Sequence, residues 1–325
     1  MTMGRVLVTG ASGFVGSAIL DCPGLRGRPR VGLVRRGKEG SSSDNLAWRS
    51  FDNWTQPALA QALDQVDTVI HAASVVHRPD ASLDEYTRFN VEGTRALVRA
   101  CEERGVRRLV FLSSIKVYGE RPGGIIDEQT SIDPQPGYAQ AKLAAERVVE
   151  EASARNALST MVLRLCPVFG RGEKGNVRAM IRSIARRRFL LPGDGSTRKS
   201  IVHISTVSNV ARAAADATCE GAFVVSDSAA PTMRGLVDAI ARVLGQRSPP
   251  SIPIALVKAG TIPIEWVFRA LSRAPPLSRA LLGKLLEPTV CSPARIEAAL
   301  GLRCHVDLDS ALADEVAWLR DSAQL

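Results

Sequence analysis

The chain has 325 residues, 45% of them hydrophobic, with 42 lysines and arginines against 33 acidic residues, a formal charge of +9. That content can bury a full core in one large domain or two ordinary ones, and no apolar run reaches the ~18 residues of a membrane-spanning helix. The positive balance could suit nucleic acid, an anionic lipid or a phosphorylated small molecule, but its dense cluster, Arg186 to Arg188, lacks interleaved aromatics and reads as a solvated helix end, which argues against nucleic acid.

Cys22, Cys101, Cys166, Cys219, Cys291 and Cys304 form no Cys-x-x-Cys pair, so neither a disulfide framework nor a zinc site is indicated. His71 and His77 lack the spacing of a helical metal pair and read as structural or loop residues, though His77 and Arg78 could face a substrate. The N-terminus enters an apolar Arg-Val-Leu-Val strand without the basic-then-apolar pattern of a secretory leader, so a cytoplasmic chain with reduced thiols is expected.

Residues 5 to 16, Arg-Val-Leu-Val-Thr-Gly-Ala-Ser-Gly-Phe-Val-Gly, run from a strand through a Gly-x-x-Gly-x-x-Gly turn into a helix. In such a dinucleotide loop Gly10 permits the tight turn, Gly13 lets backbone N–H groups approach a pyrophosphate, and Gly16 allows close helix packing. Ser12, Phe14 and Val15 complete the loop and are assigned to the cofactor with the glycines. A second strand, Arg30 to Val34, ends in Arg35 and Arg36, where an acid would take the ribose 2′-hydroxyl of NAD. Arginines there suit a 2′-phosphate, so NADP(H) is favoured with NAD(H) possible, or else both are ordinary surface residues. Asp52, ending the next strand, could meet the adenine amino group.

The fourth strand leads into Ala72, Ala73 and Ser74, small enough for a cofactor to lie against them. Asn90, in the helical stretch 82 to 104, could steady a neighbouring strand or a water and is also assigned to the cofactor. The apolar run Leu109 to Ser114 should be a buried strand. Tyr138 follows Ser114 by 24 residues, and Lys142 stands four further on, one helical turn along the same face. A hydroxyl, a phenol and an ammonium brought together suggest proton transfer to a carbonyl oxygen: Ser114 holds the oxygen, Tyr138 is the acid-base, and Lys142 lowers the phenol's pKa.

Strand and helix alternate as far as Thr160 to Leu165, which means an α/β, doubly wound parallel sheet of Rossmann type. The pattern then breaks. Residues 1–165, with 200–218 returning, are expected to form the nucleotide-binding domain, and 166–199 with 219–325 a smaller α/β substrate-binding lobe. Basic amphipathic pieces such as Ile264 to Arg273 either pack within that lobe or touch a membrane surface, and give no firm membrane signal.

With these residues placed, the chain resembles the extended short-chain dehydrogenase/reductases, in the NAD-dependent epimerase/dehydratase group acting on nucleotide sugars. The motifs are Thr-Gly-Ala-Ser-Gly-Phe-Val-Gly, His71-Ala-Ala, Asn90-Val-Glu-Gly-Thr, Ser-Ser-Ile-Lys-Val-Tyr-Gly, Tyr138-Ala-Gln-Ala-Lys142 and Arg164-Leu-Cys-Pro-Val-Phe-Gly. The resemblance implies that Ser114 orients a carbonyl, that Tyr138 is the acid-base, that both touch the substrate, and that Tyr138 and Lys142 also meet the cofactor, Lys142 at the nicotinamide ribose. It brings Cys166 and Val168 to the cofactor, and Lys116, Asn176, Arg198 and Lys199 to a UDP-sugar substrate. A homodimer built on two helices is common in such proteins. Ile115 and Lys116 replace the acidic pair of the sugar-nucleotide dehydratases, so dehydration is not expected. The resemblance favours NADPH-dependent reduction at C4 of a UDP-linked 4-keto-6-deoxy-N-acetylhexosamine, of quinovosamine or fucosamine type, for surface polysaccharide. A UDP-hexose or UDP-N-acetylhexosamine 4-epimerase with bound NAD is the alternative. A non-catalytic NADP-sensing protein of the same fold is the second.

Overall fold

Short aliphatic runs bounded by glycine and turn residues become strands buried on both faces, the pattern that a parallel sheet covered by helices demands. The structure, a computed structural model, describes residues 4–43, 45–51, 54–76, 82–120, 124–259, 283 and 286–325. Asp52, His77, Arg78 and the Ile264 to Arg273 piece lie outside the described residues.

Seven parallel strands form the main sheet: β1 (Val6–Thr9), β2 (Arg30–Arg35), β3 (Leu46–Phe51), β4 (Thr68–His71), β5 (Arg108–Ser114), β6 (Ser159–Leu165) and β7 (Gly221–Val225). Their order is β7-β6-β5-β4-β1-β2-β3, so the chain reverses direction across the sheet between β1 and β4. That topological switch point, at the carboxyl ends of the strands, is where open α/β sheets bind ligands.

Alternate residues of each strand enter opposite cores. Val6, Val8, Ile70, Val110 and Leu112 pack with α1 (Phe14–Leu20) and with the helix Ile204–Asp216. Leu7, Val69, Leu109 and Phe111 face α2 (Gly93–Glu103) and α3 (Tyr138–Ala154). This is the doubly wound arrangement the strand-helix alternation predicts.

The chain divides into two compact units. The first holds Met1–Val168, Val202–Ser228 and Cys291–Cys304; the second holds Phe169–Ile201, Ala229–Val290 and His305–Leu325. Residues 219–228 and 291–304, placed in the lobe by the sequence reading, thus belong to the first unit. The reason is an edge: β7 pairs with β6 residue for residue, from Gly221 on Met161 to Val225 on Leu165, and covers backbone groups that would otherwise be unpaired. Cys291, Ile296 and Cys304 then join the buried cluster of that sheet. In the second unit α4 (Asn176–Ala185) packs with Met233–Val243 and Leu308–Asp321 around Ile181, Leu236, Ile240, Leu312 and Val316.

Candidate active site

The turn after β1 is built so that backbone meets backbone. Gly10 has φ +65°, and a Cβ there would lie 2.8 Å from the N and Cα of Ala73. A Cβ on Gly16 would strike the Gly10 carbonyl oxygen. Gly13 caps α1 in an extended conformation with no side-chain cap, its own N–H donating to Gly10 O at 2.9 Å. The first-turn amides of α1 are therefore not taken by a capping side chain, and the backbone of Ala72 and Ala73 lies against the turn at Gly10. A cradle of this kind, which side chains would fill, fits the pyrophosphate of a nicotinamide dinucleotide at a helix start.

Behind the cradle runs a chain of buried hydrogen bonds. The Ala73 N–H donates to Thr9 Oγ1 at 3.1 Å; Thr9 Oγ1 lies 2.6 Å from His71 Nδ1; His71 Nε2 lies 3.1 Å from Thr94 Oγ1; and Thr94 donates to Asn90 O at 2.6 Å. Because the Thr94 hydroxyl proton goes to Asn90, Thr94 accepts from His71 Nε2–H, and Nδ1 accepts from Thr9. The imidazole is neutral: burial pushes its pKa down to about 3, and the Lys142 charge acts in the same direction.

Asn90 lies in a π-helical turn, Thr87–Glu92, a geometry often found at functional sites. Its Oδ1 accepts from Val75 N at 2.8 Å and from Ser74 Oγ at 3.1 Å, and its Nδ2 donates to Val75 O at 3.2 Å. The Asn90 amide is thus bonded to Ser74 and Val75 in the loop after β4.

Strand β5 delivers Ser114 at its carboxyl end, followed by a 3-10 turn, Ile115–Tyr118, whose Lys116 N–H donates to Ser114 Oγ at 3.3 Å. Tyr138 opens α3, half-buried and packed edge-on against Tyr86 at 6.2 Å between ring centroids, with the Ser114 hydroxyl near enough to favour its ionised form. Lys142, buried, donates Nζ to Leu112 O at 2.6 Å and sits 4.1 Å from the Phe111 ring centroid. The structure therefore brings Ser114, Tyr138 and Lys142 to the carboxyl end of β5.

Burial pushes the Tyr138 phenol up to about 12; the Ser114 hydrogen bond opposes that and Tyr86 adds to it. The Lys142 ammonium is hydrogen-bonded to the Leu112 carbonyl. Burial in turn brings Lys142 down to about 7, with the Glu146 carboxylate opposing. A neutral phenol hydrogen-bonded to a hydroxyl can hold a ligand oxygen and give it a proton.

Other assigned residues are spread more widely. Arg35 and Arg36 are exposed at the end of β2, beside β1. Cys166 is buried in the sheet core with its N–H on Val225 O at 2.9 Å, and Val168 packs half-buried against the same core. Lys116 is exposed, next to Ser114 in sequence. Asn176, Arg198 and Lys199 belong to the second unit: Asn176 opens α4, Arg198 Nε donates to Ala230 O at 3.1 Å, and Lys199 Nζ to Thr289 Oγ1 at 3.4 Å.

Sequence reasoning gave no role to Thr9, Tyr86, Thr94, Tyr118 or Glu146. Glu146 was within reach, since it continues the four-residue spacing of Tyr138 and Lys142. The others depend on elements that only folding brings together.

In sequence the chain is 33% identical over 206 residues to the N-acetyl-alpha-D-glucosaminyl-diphospho-ditrans,octacis-undecaprenol 4-epimerase of Escherichia coli O157:H7, a match covering 62% of this chain and 60% of that enzyme, so less than two thirds of the relative is spanned. It is 28% identical over 306 residues to the 2-alkyl-3-oxoalkanoate reductase of Stenotrophomonas maltophilia, covering 87% of this chain and 90% of that enzyme. Among solved structures, MoeE5 in complex with UDP-glucose and NAD superposes with TM-score 0.77 at 26% identity, covering 98% of this chain and 100% of that one. The model described as NAD dependent epimerase/dehydratase family matches residues 6–225, the span holding the glycine cradle, Ser114, Tyr138 and Lys142, and the chain belongs to that family.

Proposed function

We propose that this protein is an NADPH-dependent reductase acting on the C4 ketone of a UDP-linked 4-keto-6-deoxy-N-acetylhexosamine. The observation that carries the reading is the placement of Ser114 at the carboxyl end of β5 with Tyr138 and Lys142 on one face of α3, Lys142 Nζ donating to Leu112 O of the same strand. A bound nicotinamide cofactor would supply the hydride. Ser114 holds the ketone oxygen, and Tyr138, protonated at neutral pH, gives that oxygen its proton as negative charge develops on it. A phenol that stays protonated suits donation, the reductive direction, better than abstraction.

Arg35 and Arg36 at the end of β2 would pair with a 2′-phosphate, which supports NADPH. A diphosphate-linked substrate is supported by the relative that acts on a glucosaminyl-diphospho lipid and by the neighbour that holds UDP-glucose. Lys116, next to Ser114 in sequence and exposed, would serve that substrate. The 4-epimerase reading is favoured by the same relative and by the NAD in the same neighbour. Supplying a UDP-4-keto sugar with NADPH decides between them. One NADPH oxidised per sugar reduced is expected; interconversion of two UDP-hexosamines without net cofactor use overturns the reductase.

A further inference from the structure

The first unit also buries an ionised cluster on the helix that carries Tyr138 and Lys142. Tyr138, Lys142 and Glu146 follow one another at four-residue steps along α3, so they share a face. Glu146 is 0% exposed and Arg164, on β6, 5%. Arg164 Nε donates to both Glu146 oxygens at 3.2 Å and Nη2 to Oε2 at 2.7 Å, while Nη1 donates to Tyr118 Oη at 2.8 Å. The guanidinium carbon lies 5.0 Å from the Tyr118 ring centroid. Tyr118 closes the turn that starts after Ser114. One guanidinium therefore ties the helix bearing Tyr138 and Lys142 to the turn that follows Ser114.

Stability alone does not account for such a cluster, because well-packed apolar residues often replace a buried ion pair at no loss. Its position beside Lys142 does. The Lys142 ammonium has a backbone carbonyl and an aromatic face for company, an interior that favours the neutral amine. Facing it are Glu146, one helical turn along α3, neutral His71 from β4 and the Leu112 carbonyl and Phe111 ring from β5; Arg164 and Tyr118 hold Glu146, and Glu150 and Glu128 act on that end of the cluster. Glu146 is the anion in this set that acts on Lys142.

We infer that Glu146 is a positioning residue for the candidate site: fixed by Arg164 and Tyr118, its carboxylate keeps the Lys142 ammonium charged inside the fold and holds α3 in register with the turn after Ser114. The importance of that charge rests on the proposed function, but the charge itself is measured without turnover. The full chain, labelled with ¹³Cε-lysine, gives resonances for seven lysines, and a Lys142→Arg variant identifies that of Lys142.

In Glu146→Gln the Lys142 titration midpoint is expected to fall by about one pH unit or more, a tenfold loss of proton affinity. In Glu146→Asp, which keeps a carboxylate, at least part of the shift returns, and in Tyr118→Phe, which keeps both charges, the midpoint stays within ~0.3 unit of wild type. A midpoint unmoved in Glu146→Gln overturns the inference, as does an equal fall in Tyr118→Phe, which would signal general loosening. Should Glu146→Gln not fold, the Glu146→Gln/Arg164→Gln double variant removes the unpaired cation as well; a smaller fall in the same direction is then expected, since losing Arg164 favours the ammonium, and an unmoved or raised midpoint overturns the inference. A chain that reduces no keto sugar yet shows the shift ends the functional reading and leaves this inference standing.

Discussion

Replacing His71 by Gln should remove a specific acid sensitivity from the first unit. His71 joins Thr9 to Thr94 and so links the Ala73 amide to the Asn90 turn, and it must be neutral to accept from Thr9 while donating to Thr94. Its pKa goes from the ordinary 6.5 in the unfolded chain to about 3 in the fold. Between those values the unfolded chain binds the extra proton and the folded one does not, so stability falls as pH drops below 6.5 and the loss is complete near 3. At about pH 4.5 the difference is roughly two pH units of proton affinity, about 3 kcal/mol. Urea unfolding of wild type and His71→Gln, at neutral pH and at about pH 4.5, isolates it. Whatever the substitution costs at neutral pH, the wild type should lose about 3 kcal/mol more than the variant on acidification. Equal losses in the two proteins would refute the buried neutral imidazole.

Gly16→Ala should push its methyl into the Gly10 carbonyl, costing about 1–3 kcal/mol by overpacking and weakening NADPH binding at least about tenfold in a fluorescence titration, with the circular dichroism of the sheet unchanged. Tyr138→Phe should lower turnover by about 10²–10⁴ while the Kd for NADPH stays within about twofold, since the phenol moves a proton and does not hold the dinucleotide phosphates; near-normal turnover would take the phenol out of the mechanism. Arg35→Asp should turn the cofactor preference from NADPH toward NADH, read as the ratio of the two Kd values; an unchanged ratio would make Arg35 an ordinary surface residue.

The strands, the glycine turn and the Tyr138–Lys142 face were legible because each rests on a local pattern: an aliphatic run bounded by glycine, a fixed glycine spacing, a four-residue step on a helix. The short-range chemistry of those patterns does not depend on what lies across the fold. Tertiary structure decided what local patterns leave open. It gave β7 to the sheet because the edge of β6 needed a partner, although nothing in Gly221–Val225 distinguishes a sheet strand from a lobe strand. It committed Asn90 to Ser74 and Val75, because a π-helical turn aims that amide at the loop after β4. It also turned Lys142 onto Leu112 O and pushed the Tyr138 phenol up by burial, neither of which the four-residue spacing shows. Spacing names the groups that share a face; burial and partners from other elements, the Leu112 carbonyl for Lys142 and Arg164 for Glu146, decide how they are held.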